Sequence, residues 1–241
     1  MSSSAPFRRR ALAALVLGSG ASCLWPGLGE RSAYAEARLR LSVFVPADVS
    51  SRVLQKSLSA ELPSVEITVF GRFPDFETAL TGKPDGALTL RPVLQAKGLP
   101  ISLSGTYAGA SSEPYSLIAL GKQVVPEKVT TVGAVDLMGR QGMKELVARL
   151  LGTTAQIERV TKLEDLLPLL QLNMVEAVLV PNRLTEAFRA RSKLDLRVTP
   201  ARGAVGLPAL SILTPSGAPL AQGIKALSPN LSLQLGVSKW E

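Results

Sequence analysis

From residue 39 onward, short apolar runs of strand period alternate with amphipathic runs of helix period, and that alternation restricts the chain to an α/β architecture. Residues 39–45 predict a strand. The turn 46–51 carries several N-cap residues, and the helix after it runs to about residue 62, with Val53, Leu54 and Leu58 on one face and Pro63 as its stop. A second strand is predicted over 65–70. Pro74 suits the first turn of a short helix whose stripe is Phe76, Ala79 and Leu80, with Gly82 at its exit. Residues 86–90 predict a third strand ending in an Arg91-Pro92 turn, and 101–107 a fourth. This succession of strands and helices implies parallel pairing through right-handed crossovers.

After a small-residue linker at 108–112 the grammar repeats. Strands are predicted over 115–120, 131–137, 156–160, 175–180 and 194–199. The turn 138–142 opens the best helix in the chain, with Met143, Leu146, Val147, Leu150 and Leu151 as its stripe and Gly152 as its stop. Thr161-Lys162-Leu163-Glu164 has capping-box spacing, and Pro168 restarts the helix that follows. A further helix turns Leu184, Ala187 and Phe188 inward. A return segment at 207–214 and a helix at 219–227 close the chain. The fold class is therefore α/β in two lobes, each a mainly parallel sheet flanked by helices, with crossings near 108–114 and 200–208. Residues 36–110 begin lobe 1, 111–205 form lobe 2, and 206–241 return to lobe 1.

Ahead of this pattern, Arg8-Arg9-Arg10, the apolar run 11–17 and Ala33-Tyr34-Ala35 predict a secretory signal over 1–35, and so a periplasmic or otherwise extracytoplasmic protein. Arg9-Arg10-Ala11-Leu12 matches a twin-arginine signal loosely. Gly20-Ala21-Ser22-Cys23 has glycine where a lipobox carries leucine, so no lipid anchor is expected. No later stretch reaches the roughly 20 apolar residues of a membrane span. The chain contains no histidine, and its one cysteine, Cys23, lies in the signal. That composition is poor equipment for triad hydrolysis, thiol chemistry or zinc. No Walker or dinucleotide fingerprint and no paired-carboxylate arrangement stands out. The expectation is a protein that is not an enzyme and needs no cofactor or metal. Of 27 basic and 19 acidic residues, Arg8, Arg9, Arg10, Arg31 and Glu30 leave with the signal, for a net charge of +5. The surplus is scattered singly, which fits a solvated surface and not a nucleic-acid face.

The order of elements, together with residues 73–87, Pro114-Tyr115-Ser116-Leu117-Ile118-Ala119, and the stretches 131–142, 176–181 and 208–219, resembles the type II periplasmic solute-binding proteins, nearest the phosphate/phosphite/phosphonate group of ABC transporter receptors. The resemblance implies two lobes that close over a small, anionic ligand, delivery to a membrane permease or a sensor, and no catalysis in a monomeric protein. A ligand-free module of the same fold, serving as a sensory or partner-binding protein, is the alternative. The chain departs from that group at Gly139-Arg140-Gln141-Gly142, where those receptors carry a serine/threonine-rich turn.

In open α/β sheets ligands collect beyond the carboxyl ends of the strands. The candidate binding residues are the turns expected there. Gly139, Arg140 and Gln141 sit at a helix N-terminus, where N–H groups and a guanidinium would grip an oxyanion. Ser50 and Ser51 offer hydroxyls, or cap a helix. Arg91 and, in the matching place of the second half, Asn182 and Arg183 follow a strand, and either face the cleft or face water. Tyr107 lies by the first crossing, to stack on a ligand or to fill the hinge.

Overall fold

The computed structural model describes residues 38–241, so the signal read at 1–35 lies outside the described residues. The first sheet receives β1 (Leu39–Phe44), β2 (Val65–Val69), β3 (Gly86–Leu90) and β4 (Leu103–Thr106), interleaved with α1 (Ser51–Glu61), α2 (Phe73–Thr81) and α3 (Arg91–Ala96). The second is built by β5 (Ser112–Leu120), β6 (Thr131–Val135), α4 (Gly139–Leu151), β7 (Gln156–Val160), α5 (Leu166–Gln171), β8 (Ala177–Pro181), α6 (Thr185–Ala190) and β9 (Leu196–Gly206). The chain then returns to the first with β10 (Pro208–Ile212), α7 (Pro219–Lys225), α8 (Pro229–Gln234) and β11 (Lys239–Trp240).

The sheet orders are β11-β4-β10-β3-β1-β2 and β7-β6-β8-β5-β9. Both are mixed. The βαβ units give parallel pairs, β2-β1-β3 in one sheet and β7-β6-β8 in the other. The strands next to the crossings, β10 and β5, run against their neighbours because the chain enters each sheet from the opposite end. The two crossings are bonded to each other where Leu207 N donates to Ser111 O, and the second is tied to the start of α3 where Arg91 N donates to Leu207 O, each at 3.0 Å.

Local chemistry accounts for the helices. Ser50 caps α1 by accepting from Val53 N, and Leu62 N still reaches Leu58 O before Pro63 ends the run. Val53 itself is half exposed; the buried stripe is Leu54 and Leu58, one turn apart. Arg91-Pro92 is the first turn of α3, because proline lacks the N–H that this turn leaves unpaired. The stripe of α4 is buried as expected, and Gly152 closes it at φ +75°, its N–H on Ala148 O. Lys162 stands at the cap position before the 3-10 turn Leu163–Asp165, so the Thr161/Glu164 pair forms no capping box.

Three apolar clusters hold these layers. One face of the first sheet, with Leu41, Val43, Leu88 and Leu210, is covered by α1, α7 and α8 through Leu54, Leu58, Ile224 and Leu231. One face of the second, with Ile118, Val178 and Val180, is covered by α5 and α6 through Leu166, Leu170 and Phe188. The remaining cluster belongs to both lobes. It runs from Phe44, Phe76, Ala87 and Leu94 through to Leu117, Ala134, Met143, Leu146 and Leu150. The lobes thus meet on a shared apolar core, and the described residues form one compact unit.

Asp85 ties this frame together. Its carboxylate accepts from Arg40 N at 2.9 Å, Thr214 Oγ1 at 2.6 Å and Ser216 Oγ at 2.9 Å, joining β1 to the turn after β10. These bonds, the Thr214 hydroxyl foremost, hold its carboxyl below the ordinary carboxylate range. A carboxylate depressed in the folded state stabilises above its unfolded pKa and stops doing so as pH falls through its folded one. Asp85→Ala is therefore expected to lose about 1–2 kcal/mol at pH 7, and less at pH 3, in urea titrations.

Candidate functional site

Parallel strands of both sheets, β1 and β2 of the first and β6, β7 and β8 of the second, end on one cavity. Its walls are the turn after β1 (residues 45–52), Phe70 and Gly71 after β2, Leu137 after β6, residues 161–164 after β7, Pro181 at the end of β8, and the inner face of α4. The cavity encloses about 240 Å³. Phe44 and Phe70 face it from lobe 1; Tyr115, Met143, Leu146 and Leu184 face it from lobe 2. Ser50 and Ser51 contribute hydroxyls at the start of α1.

Charge is confined to the mouth. Asp48, Arg52, Lys162, Glu164 and Arg191 are all exposed there. Arg191 Nη2 reaches Asp48 Oδ1 at 2.6 Å, an ion pair between lobes. Outside the lining of this cavity, Arg183 makes a second bridge between the lobes. Its backbone N and its Nε donate to the two oxygens of Glu113, each at 3.0 Å, and its Nη2 donates to Pro46 O across the cleft at 2.7 Å. Burial pushes the Glu113 carboxyl up, and the Arg183 charge pulls against that rise. Burial also pushes the Tyr115 phenol well up, so it stays protonated as a donor; among the described residues no hydrogen-bond partner meets it.

The candidate residues are not gathered in one place. Ser50 and Ser51 line the cavity, whereas the others do not. Gly139 opens α4 at φ +70°, its N–H on Asp136 Oδ1 at 2.7 Å, and a Cβ there would meet Phe73 at 3.3 Å. The helix start expected to hold an oxyanion is thus packed against a lobe-1 ring. Arg140 is exposed and borders a different hollow with Lys144, Gln156 and Arg159 beside β7. Gln141 donates to Glu145 one turn along α4. The Arg91 guanidinium bonds Ser104 Oγ at 2.7 Å beside the second crossing. Asn182 Oδ1 accepts from Ser116 Oγ at 2.7 Å. Tyr107 is 42% exposed and borders a hollow with Val49, Arg183 and Leu233. Sequence reasoning named Arg183 as a residue that could face the cleft, but missed Tyr115 and the partners of Arg183, Glu113 and Pro46, which lie far from it in the chain.

No family model and no curated protein sequence matches this chain. Solved structures do. A double mutant of the BvgS VFT2 domain of Bordetella pertussis is similar over 82% of this chain and 91% of that one, at 14% identity and a TM-score of 0.58. Holo ArgBP from T. maritima is similar over 81% and 93%, at 15% identity and a TM-score of 0.54. The periplasmic aliphatic sulphonate binding protein SsuA from Escherichia coli is similar over 82% and 72%, at 18% identity and a TM-score of 0.52. At such identities the likeness speaks for architecture, and the chain has the two-lobed α/β fold of the periplasmic binding proteins.

Proposed function

We propose that the protein is an exported solute-binding module, a monomer whose two lobes enclose a small molecule for an ABC-type permease or a sensor. The observation that carries this reading is the position of the cavity, where parallel strands of both sheets end and where divergent loops present side chains from both lobes. An oxyanion of the phosphate or phosphonate kind has a poor seat there, since Phe73 covers the start of α4 and Arg140 belongs to another surface.

A second reading has its own support. The lobes are joined by the chain's own apolar cluster and by Arg183 and Arg191, as suits a module that presents a fixed surface to a protein partner. Differential scanning fluorimetry of the purified protein separates the two. A solute at a hundred times its Kd adds about 2.7 kcal/mol to the native state, so the melting temperature should rise by roughly 5–10 °C. The panel comprises phosphate, phosphonates, sulfonates, carboxylates, amino acids and neutral aromatic compounds. A flat response across it removes the solute-binding reading and leaves the partner-binding one.

A further inference from the structure

We infer that the molecule held in the cavity presents an uncharged, largely apolar body with a polar atom at one end, such as a substituted aromatic ring, and is not a free oxyanion; this rests on the solute-binding reading above. The inner walls are Phe44, Phe70, Met143, Leu146 and Leu184, and Tyr115 lines the cavity beside them with its phenol in the field of the Glu113–Arg183 pair. Burying an unpaired charge against such walls costs far more than any contact there returns, so a charged centre would be confined to the mouth. Arg191 is engaged by Asp48, and Arg52 and Lys162 are exposed.

Size agrees with this class. A dry cavity of about 150 Å³ lined by Leu, Ile and Phe takes up benzene, and the 240 Å³ here leaves room for a ring with a few further heavy atoms. The Tyr115 hydroxyl, protonated and without a partner among the described residues, would meet an ether, carbonyl or hydroxyl oxygen. The Ser50 and Ser51 hydroxyls serve a polar tail that emerges at the mouth.

The experiment uses benzyl alcohol and indole as neutral probes, and inorganic phosphate, methylphosphonate and methanesulfonate as anions, on protein labelled with ¹³C in its methionine methyl groups. Neutral probes should raise the melting temperature by roughly 3 °C at ten times their Kd. They should also shift the methyl resonance of Met143, on the cavity wall, and leave that of exposed Met174 unmoved. Leu146→Trp, which fills the cavity, should weaken them at least tenfold; if that variant does not fold, the Met143 resonance decides alone. Anions that bind where neutral probes fail would overturn the ligand class and leave the solute-binding reading standing. No binding by any of these probes would overturn the ligand class, and the wider panel above, with its carboxylates and amino acids, then decides the solute-binding reading. Neutral binding with an unmoved Met143 would place the probes elsewhere and overturn the inference as well.

Discussion

Phe76→Ala should unfold the protein about 10 °C earlier than the wild type, a loss of about 3–5 kcal/mol. Phe76 is 0% exposed and lies at the junction of three rings. It stacks on Phe44 with centroids 5.6 Å apart and meets Phe70 edge-on at 6.0 Å, while Phe44 also meets Phe73 at 5.9 Å. Alanine would forfeit the transfer free energy of the ring and leave a hole that a sheet on one side and a short helix on the other fill poorly. Because Phe44 and Phe70 also wall the cavity, the variant should bind any solute of the cleft more weakly as well. Leu172→Ala, at a residue 71% exposed, is the control and should stay within about 0.5 kcal/mol of wild type. If the two variants melt alike in thermal circular dichroism, the aromatic junction does not hold lobe 1 in the way described.

Arg183→Met should be nearly as damaging, by about 3–5 kcal/mol at pH 7, for a different reason. Methionine replaces the stem of the side chain but leaves Glu113 buried without its cation and Pro46 O without a donor. The two side chains are only 15% and 12% exposed, so water does little to screen the loss. The sign with pH follows from Glu113. Its carboxyl is already raised by burial, and without Arg183 it rises further. A carboxyl raised on folding stabilises most below its unfolded pKa and progressively less as pH climbs through its folded one. The deficit of the variant should therefore be largest at neutral pH and shrink towards pH 4, where Glu113 takes up a proton. Replacing both partners, in Glu113→Leu/Arg183→Met, should recover much of the loss, because no buried charge is then stranded. A deficit that ignores pH, with no recovery in the double variant, would assign the role of Arg183 to packing alone.

The parts of this molecule that were legible in its sequence are those decided within a few residues. The stripe and glycine stop of α4, the Ser50 cap and the βαβ succession are local, and Ser50 and Ser51 line the cavity because the turn that caps α1 is also the turn at the end of β1. Long-range pairing was not legible. β9 continues through Pro200 and Gly203 to Gly206, residues that read as a loop, because β5 offers it a ladder of hydrogen bonds. β11 is two residues long and exists because β4 offers an edge 133 residues back, Lys239 opposite Thr106. α8 was missed although Ser228-Pro229 is a sound helix start, its hydroxyl accepting from Leu231 N. The setting of Arg140, beside another hollow, has a similar cause. Its turn has the chemistry of an anion site, but Phe73, on another lobe, decides what faces that turn.

Under the proposed function, the bridges from Arg183 to Pro46 and from Arg191 to Asp48 also bear on how fast a cargo is taken up. Both tie the lobes together, the second of them at the doorway, so entry has to wait for the chain to let go of itself. Stopped-flow traces should then climb with cargo concentration only to a plateau set by how often that doorway swings wide, and loosening the Arg191 clasp should lift the plateau.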